Sequence, residues 1–147
     1  MIFIADAMLG RLAKRLRLLG IDVLYAPTFT DNDIIRLALE QNRVILTRDT
    51  GLASRPLARN HLLIGSDDVD EQVAQVRSAF VLNDAGSLNR CSLCNGPLSP
   101  LDRRAAQDHV PAHVHATIKT FYQCEGCGKV YWRGSHARNW ENRNREQ

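Results

Sequence analysis

Short apolar runs alternate, through the first half of the chain, with stretches in which apolar residues recur at helical spacing. Ile2 to Ala5, Val23 to Ala26, Val44 to Thr47 and Leu62 to Gly65 read as strands. Between the first two, Leu9, Leu12, Ala13, Leu16 and Leu19 mark one face of a helix, with Arg11, Lys14, Arg15 and Arg17 on its other faces. Asp6 is placed to cap its start and Gly20 to end it. A second helix begins at about Asp31, read as its N-cap, and carries Ile34, Ile35, Ala38 and Leu39 as far as Asn42. A third, Asp67 to Phe80, repeats Val69, Val73, Val76 and Phe80 after a Ser-Asp-Asp capping signal. Strands that alternate with helices predict an α/β fold with a mostly parallel sheet.

Beyond Phe80 the pattern weakens. Turn formers in VLNDAGSLNR predict a linker, so the chain divides into a sheet domain over 1–82, a linker over 83–90 and a second unit over 91–147. The second unit contains all four cysteines of the chain, as two C-x-x-C pairs, Cys91/Cys94 and Cys124/Cys127. Each pair can wrap an ion from a tight turn, and together they supply four thiolates for one closed tetrahedral zinc site, a zinc ribbon. Two disulfides are the competing reading. The chain opens directly on strand-like MIFIAD, without the charged and long apolar regions of a secretory signal, which favours zinc and a cytoplasmic location. A closed four-sulfur site leaves no position for substrate, so this metal is expected to be structural. The residues between the pairs lack a clear period and read as an insertion with a short helix before Pro111. His109, His113 and His115 have ligand-like spacings, but the cysteines already complete one site.

At 147 residues and 44% hydrophobic the chain can bury a real core, and no apolar run approaches a membrane span. Its net charge of +3 is unevenly placed, with 10 Lys/Arg against 11 Asp/Glu up to residue 88 and 9 against 5 after it. A near-neutral unit is thus joined to a basic one, which points to a polyanionic partner with a phosphate backbone.

The acidic residues carry the candidate chemistry. Asp6 directly follows the first strand and Asp49 closely follows the third, so both belong to the carboxyl edge of a parallel sheet, where open α/β sheets bind ligands. Asp31 opens the helix that enters from that edge. Three clustered carboxylates would repel one another, and a hard divalent cation, Mg²⁺ or Mn²⁺, relieves the repulsion. Such a metal beside a basic helix face suits phosphodiester hydrolysis. Capping alone accounts for Asp6 and Asp31 equally well when each is taken singly. Asp33 is an alternative to Asp31. Asp67 or Asp68 could add a ligand, although SDDVDEQ also reads as an ordinary acidic helix start.

FIADAMLGRLAKRLRLLGIDVLYA, TDNDIIRLALEQNRVILTRDTGL, RCSLCNGPL and CEGCGKVYWRGSH, in this order, resemble the Mut-seven C-terminal RNase family over nearly the whole chain. The resemblance implies a PIN-like three-layer domain followed by a zinc ribbon, divalent-metal-dependent cleavage of RNA, and a ribbon that assists RNA binding. It also implies catalytic and metal-binding roles for Asp6 after the first strand, Asp31 at the second helix and Asp49 of the L-T-R-D motif. The domain is shorter than larger PIN nucleases. Glu40 falls at the far end of its helix, and no other glutamate stands mid-domain.

The basic and aromatic residues have two readings each. Arg11 and Arg15, four apart with Lys14 adjoining, form a stripe that begins about one turn from Asp6 and could hold phosphates or simply face water. Arg48 either contacts substrate beside Asp49 or braces the sheet. Trp132, Arg133 and His136, with Tyr131, combine rings and charge in a way suited to single-stranded RNA, while Trp132 could equally pack the ribbon core. Two other classes compete. A phosphoacceptor receiver would require an acidic pair after the first strand and a lysine late in the sheet, which this chain lacks. A non-catalytic RNA- or protein-binding module would show no divalent-dependent turnover.

Overall fold

A computed structural model describes residues 1–82 and 88–133. Four strands, β1 (Phe3–Ala5), β2 (Val23–Leu24), β3 (Val44–Thr47) and β4 (His61–Leu63), pair in parallel in the order β2-β1-β3-β4. The helices α1 (Gly10–Leu18), α2 (Asp31–Gln41), α3 (Thr50–Ala53) and α4 (Val69–Ala79) complete three layers. Alternation along the strands sorts the side chains. Phe3, Ala5, Val44 and Leu46 pack with α1 and α4 around Leu12, Leu16, Val73 and Val76. Ile4 and Ile45 point the other way, into Ile34, Ile35, Ala38 and Leu52 of α2 and α3. Burial on both faces is why these strands read as unbroken apolar runs. The PIN-like three-layer expectation agrees with this α/β architecture.

Local chemistry sets the helix ends. Asp6 caps a single 3-10 turn, Ala7–Leu9, that leads into α1. Gly20, at φ 89°, reverses the chain after it. The cap of α2 differs from expectation: Thr30 is the N-cap, and Asp31 is the first helical residue. Thr30 Oγ1 accepts from the Asp33 N–H at 3.1 Å and Asp33 Oδ2 accepts from the Thr30 N–H at 3.0 Å, a reciprocal capping box that Asp31 cannot form from its position. Helix α3, only one turn long, has too few residues to show a period and is absent from the sequence reading. β2 is shorter than its apolar run and, among the described residues, is an edge strand paired with β1.

The cysteine-bearing half forms an antiparallel sheet, β5 (Leu98–Leu101), β6 (Phe121–Cys124) and β7 (Val130–Trp132), in chain order. The insertion holds the expected short helix before Pro111, α5 (Arg103–Ala106), and another after it, α6 (Ala112–Thr117). Leu88 is buried with Cys91, Cys124 and Tyr131, and Leu18 of α1 packs into the same cluster. The Leu88 N–H donates to Leu18 O at 2.9 Å, so the two halves meet at the end of α1. This contact explains a further difference. Arg17, which the helix period places on an outer face, is only 3% exposed because the other half of the chain covers it.

Candidate active-site edge and metal centre

β1 and β3 are neighbours, and the Asp6 N–H donates to Leu46 O at 3.0 Å where the two strands end. This register brings the acidic residues together through a threonine. The fully buried Thr47 hydroxyl donates to Asp6 Oδ2 and accepts from the Asp49 N–H at 2.9 Å. Asp6 is itself buried, and its Oδ1 accepts from the Met8 N–H at 3.0 Å. Asp49 is exposed and caps α3, its Oδ1 accepting from Gly51 N–H at 2.8 Å and Leu52 N–H at 3.3 Å. Both residues therefore cap a turn, yet both Asp6 oxygens and Asp49 Oδ2 retain a lone pair for another partner. Sequence reasoning did not single out Thr47. Its signal was a lone hydroxyl at the end of the apolar run VILT.

Asp31 stands exposed in the first turn of α2, which starts from the same sheet edge. The structure links the Asp6 carboxylate to the Asp49 backbone through Thr47, and the carboxylates of Asp6, Asp31 and Asp49 do not all come within 4.8 Å of one another. Asp33 is occupied by the capping box, and its hydrogen bonds to Thr30 hold its carboxyl below the ordinary aspartate value. Asp68 caps α4 through the Glu71 N–H, Asp67 is exposed, and Glu40 pairs with Arg36 at 3.4 Å at the far end of α2. Tyr25 closes over the turn after Asp6, its hydroxyl donating to Ala7 O at 3.2 Å. Gly10 permits this approach, since a Cβ there would lie 2.8 Å from the Tyr25 hydroxyl. On α1, Arg11 and Lys14 are exposed, whereas Arg15 is paired with Asp70 of α4 at 3.0 Å. Arg48 is half-buried beside Asp49.

The four cysteines converge as the spacing requires. Their Sγ atoms all lie within 4.8 Å of one another, with Cys91 and Cys127 3.6 Å apart and Cys94 and Cys124 3.3 Å apart. A tetrahedral zinc with sulfur ligands at about 2.3 Å places its sulfurs about 3.8 Å apart, so the cluster is compatible with a structural zinc. All four thiols are free, not joined in disulfides. Burial pushes the Cys91 thiol up, but the Tyr131 hydroxyl 2.9 Å away and the N–H groups of Cys94 and Leu93 outweigh it and hold it down at about 6. Burial and neighbouring thiols push Cys94 up to about 12. A cation among four sulfurs this close would favour their thiolate forms. Gly96 lies against the cluster: a Cβ there would be 3.2 Å from Cys94 Sγ and 3.3 Å from Cys124 Sγ.

The histidines belong to no second centre among the described residues. His115 Nε2 lies 3.0 Å from Arg103 O, and its ring stacks on Phe121. Trp132 packs against Phe121, Val130 and Ala106, in keeping with a core role. Arg133 is exposed and lines a shallow recess with Thr117, Lys119 and Thr120. His136 lies outside the described residues.

A three-layer α/β domain with acids along its carboxyl edge, joined to a four-cysteine ribbon compatible with zinc, defines a two-part class of protein. Residues 1–144 match the Mut7-C RNAse domain, and the chain belongs to that family. Ribonuclease is accordingly its class of activity and RNA its class of substrate. No curated protein and no solved structure matches the chain. Among the described residues, no helix is long and apolar enough to cross a membrane.

Proposed function

We propose that the protein is a divalent-metal-dependent ribonuclease whose catalytic unit is the sheet domain, residues 1–82, and whose ribbon, residues 91–147, helps to hold RNA. The observation that carries this reading is the Thr47 hydroxyl joined to both Asp6 and Asp49 at the carboxyl edge of a parallel sheet, in a chain of an RNase family. The donor set is all oxygen, the preference of Mg²⁺ and Mn²⁺, and it includes the buried Asp6 carboxylate, which among the described residues bonds the Met8 N–H and the Thr47 hydroxyl. Asp6 and Asp49 would hold the cation, with Asp31 approaching from α2. When bound, such a cation lowers the pKa of water and offsets the charge that builds on phosphate oxygens during hydrolysis. Thr47 fixes the Asp6 carboxylate, Arg11 and Lys14 offer exposed charge to the backbone phosphates, and Arg48 stands beside Asp49. Arg15 contributes less, since Asp70 already engages it. On the ribbon, Arg133 and His136 would add charge and Trp132 the edge of a ring.

A non-catalytic RNA- or protein-binding module is the second reading, favoured by the capping bonds that Asp6 and Asp49 already make. Asparagine caps a turn about as well as aspartate but removes the charge, so it separates the two readings. Cleavage of labelled RNAs and DNAs is measured with Mn²⁺, Mg²⁺ or EDTA. The expected result is RNA cleavage abolished by EDTA and reduced on the order of 100-fold or more in Asp6→Asn and Asp49→Asn, beyond the roughly 10- to 100-fold typical of outer-shell partners. Wild-type rates in both variants would end the assignment to this edge.

A further inference from the structure

Ser92 and Leu93 form the turn between the ligands Cys91 and Cys94, and one side chain from the other half of the protein holds both of their carbonyls. Arg17 Nη1 donates to Ser92 O at 2.9 Å and to Leu93 O at 3.3 Å, while its Nε donates to Val23 O at 2.9 Å. Asn95, next to Cys94, makes the reciprocal connection. Its Oδ1 accepts from the Val23 N–H at 3.2 Å, and its Nδ2 donates to Asp22 Oδ1 at 2.7 Å. Asp22 in turn pairs at 2.7 Å with Arg43, whose Nη1 also reaches Phe3 O. Val23 is the first residue of the edge strand β2, and its N–H and C=O face away from β1, where a further strand would otherwise pair. Side chains tied to the cysteine turn satisfy both groups instead. Arg17 is buried to 3% exposure, and its Nε and Nη1 donate to backbone carbonyls. Four thiolates around a dication leave a net negative centre beside that buried cation.

We infer that Arg17 and Asn95 are positioning residues that latch the first cysteine turn onto β2, so that metal binding at the four thiolates and the stability of the nuclease sheet are thermodynamically linked. The inference rests on the reading of the cysteine cluster as a zinc site. A metal that holds the turn in shape keeps the sheet edge capped, and by linkage the latch must strengthen the hold on the metal. The division of the chain into a catalytic unit and a binding unit is then incomplete as a description of its stability.

Asn95 has φ 69°, a conformation glycine adopts freely, so Asn95→Gly removes the two side-chain bonds without straining the backbone. Arg17→Met keeps the length of the side chain and removes its donors. On the full-length chain, zinc is counted by elemental analysis, its release to a chelator is timed, and amide exchange is followed at Val23 and at Phe3, whose N–H bonds Asp22 O across the β1–β2 pair. Stripping the metal from the wild type should speed exchange at both amides. Asn95→Gly should speed it at Val23 with metal present and weaken zinc retention on the order of 10-fold. Arg17→Met should do the same or more; if it fails to fold, Asn95→Gly decides alone. Unchanged Val23 exchange in Asn95→Gly overturns the latch, and sheet exchange indifferent to metal stripping overturns the linkage. A wild-type chain without zinc would instead remove the zinc reading, and with it the linkage, while Val23 exchange in Asn95→Gly would still decide the latch.

Discussion

Around the parallel sheet, Phe3, Ile4, Leu12, Leu46 and Val73 are wholly buried in two separate cores, one on each face. The ribbon has two small clusters, around Phe121 and around Tyr131, and the second consists partly of Cys91 and Cys124 themselves. A sheet sandwiched between helices removes enough apolar surface from water to hold its shape, whereas a unit the size of the ribbon does not. Metal ligation at the four cysteines would supply what the missing core cannot, and for isolated zinc modules it is worth roughly 10–16 kcal/mol. The two halves also use polar side chains differently. In the sheet domain, the buried polar pair Asp6 and Thr47 meets at the carboxyl edge; in the ribbon, polar atoms serve the cysteine sulfurs and the contact with β2.

The largest effect should come from breaking the four-cysteine cluster of the ribbon. Cys124→Ser breaks a four-sulfur site whose stabilisation is comparable to the whole stability of a small domain, about 5–15 kcal/mol. Proteolysis should then cut between residues 98 and 133 while α2 and β3 stay protected. A ribbon as resistant as the wild type would erase the contrast just drawn.

A smaller loss, confined to the sheet edge, is expected from Thr47→Val. The substitution keeps the branched shape but leaves Asp6 Oδ2 and the Asp49 N–H without their shared partner. Unpaired buried polar groups cost about 1–3 kcal/mol each. Chemical denaturation should show that loss, and RNA cleavage with Mn²⁺ should fall by roughly 10- to 100-fold, as for outer-shell residues of metal sites. Lost stability with an unaltered rate would make Thr47 purely structural.

The smallest effect concerns Asp22, where the halves meet. Burial pushes its carboxyl up, but hydrogen bonds from Arg43 and Asn95 outweigh it, and the value lies below that of a free aspartate. A depressed folded-state pKa gives stability that is present above the unfolded value, near 3.9, and lost as pH falls through the lower folded value. Asp22→Asn should cost roughly 1–2 kcal/mol at neutral pH and should flatten the decline in melting temperature below about pH 4. Parallel melting curves for wild type and variant across that window would show that the pair does not matter to folding.

Much of this molecule was legible in the sequence, and the reasons are physical. A side chain every second residue in a strand and roughly every fourth in a helix is a local rule, so the strands at Phe3 and Val44 and the helices at Leu12 and Ile34 showed themselves directly. The C-x-x-C spacing is equally local, and the four thiols meet as it requires. Asp6 and Asp49 fell at one sheet edge because parallel strands end on the same side. Tertiary structure alone decided what depends on two distant segments meeting. It selected Thr47 as the link between Asp6 and Asp49, a choice set by the register of β1 against β3. It assigned Arg15 to Asp70, in a helix far along the chain. It also buried Arg17 under the cysteine turn, although its helical phase places it on an outer face, because a periodicity records the contact of a helix with one partner and carries no trace of a second.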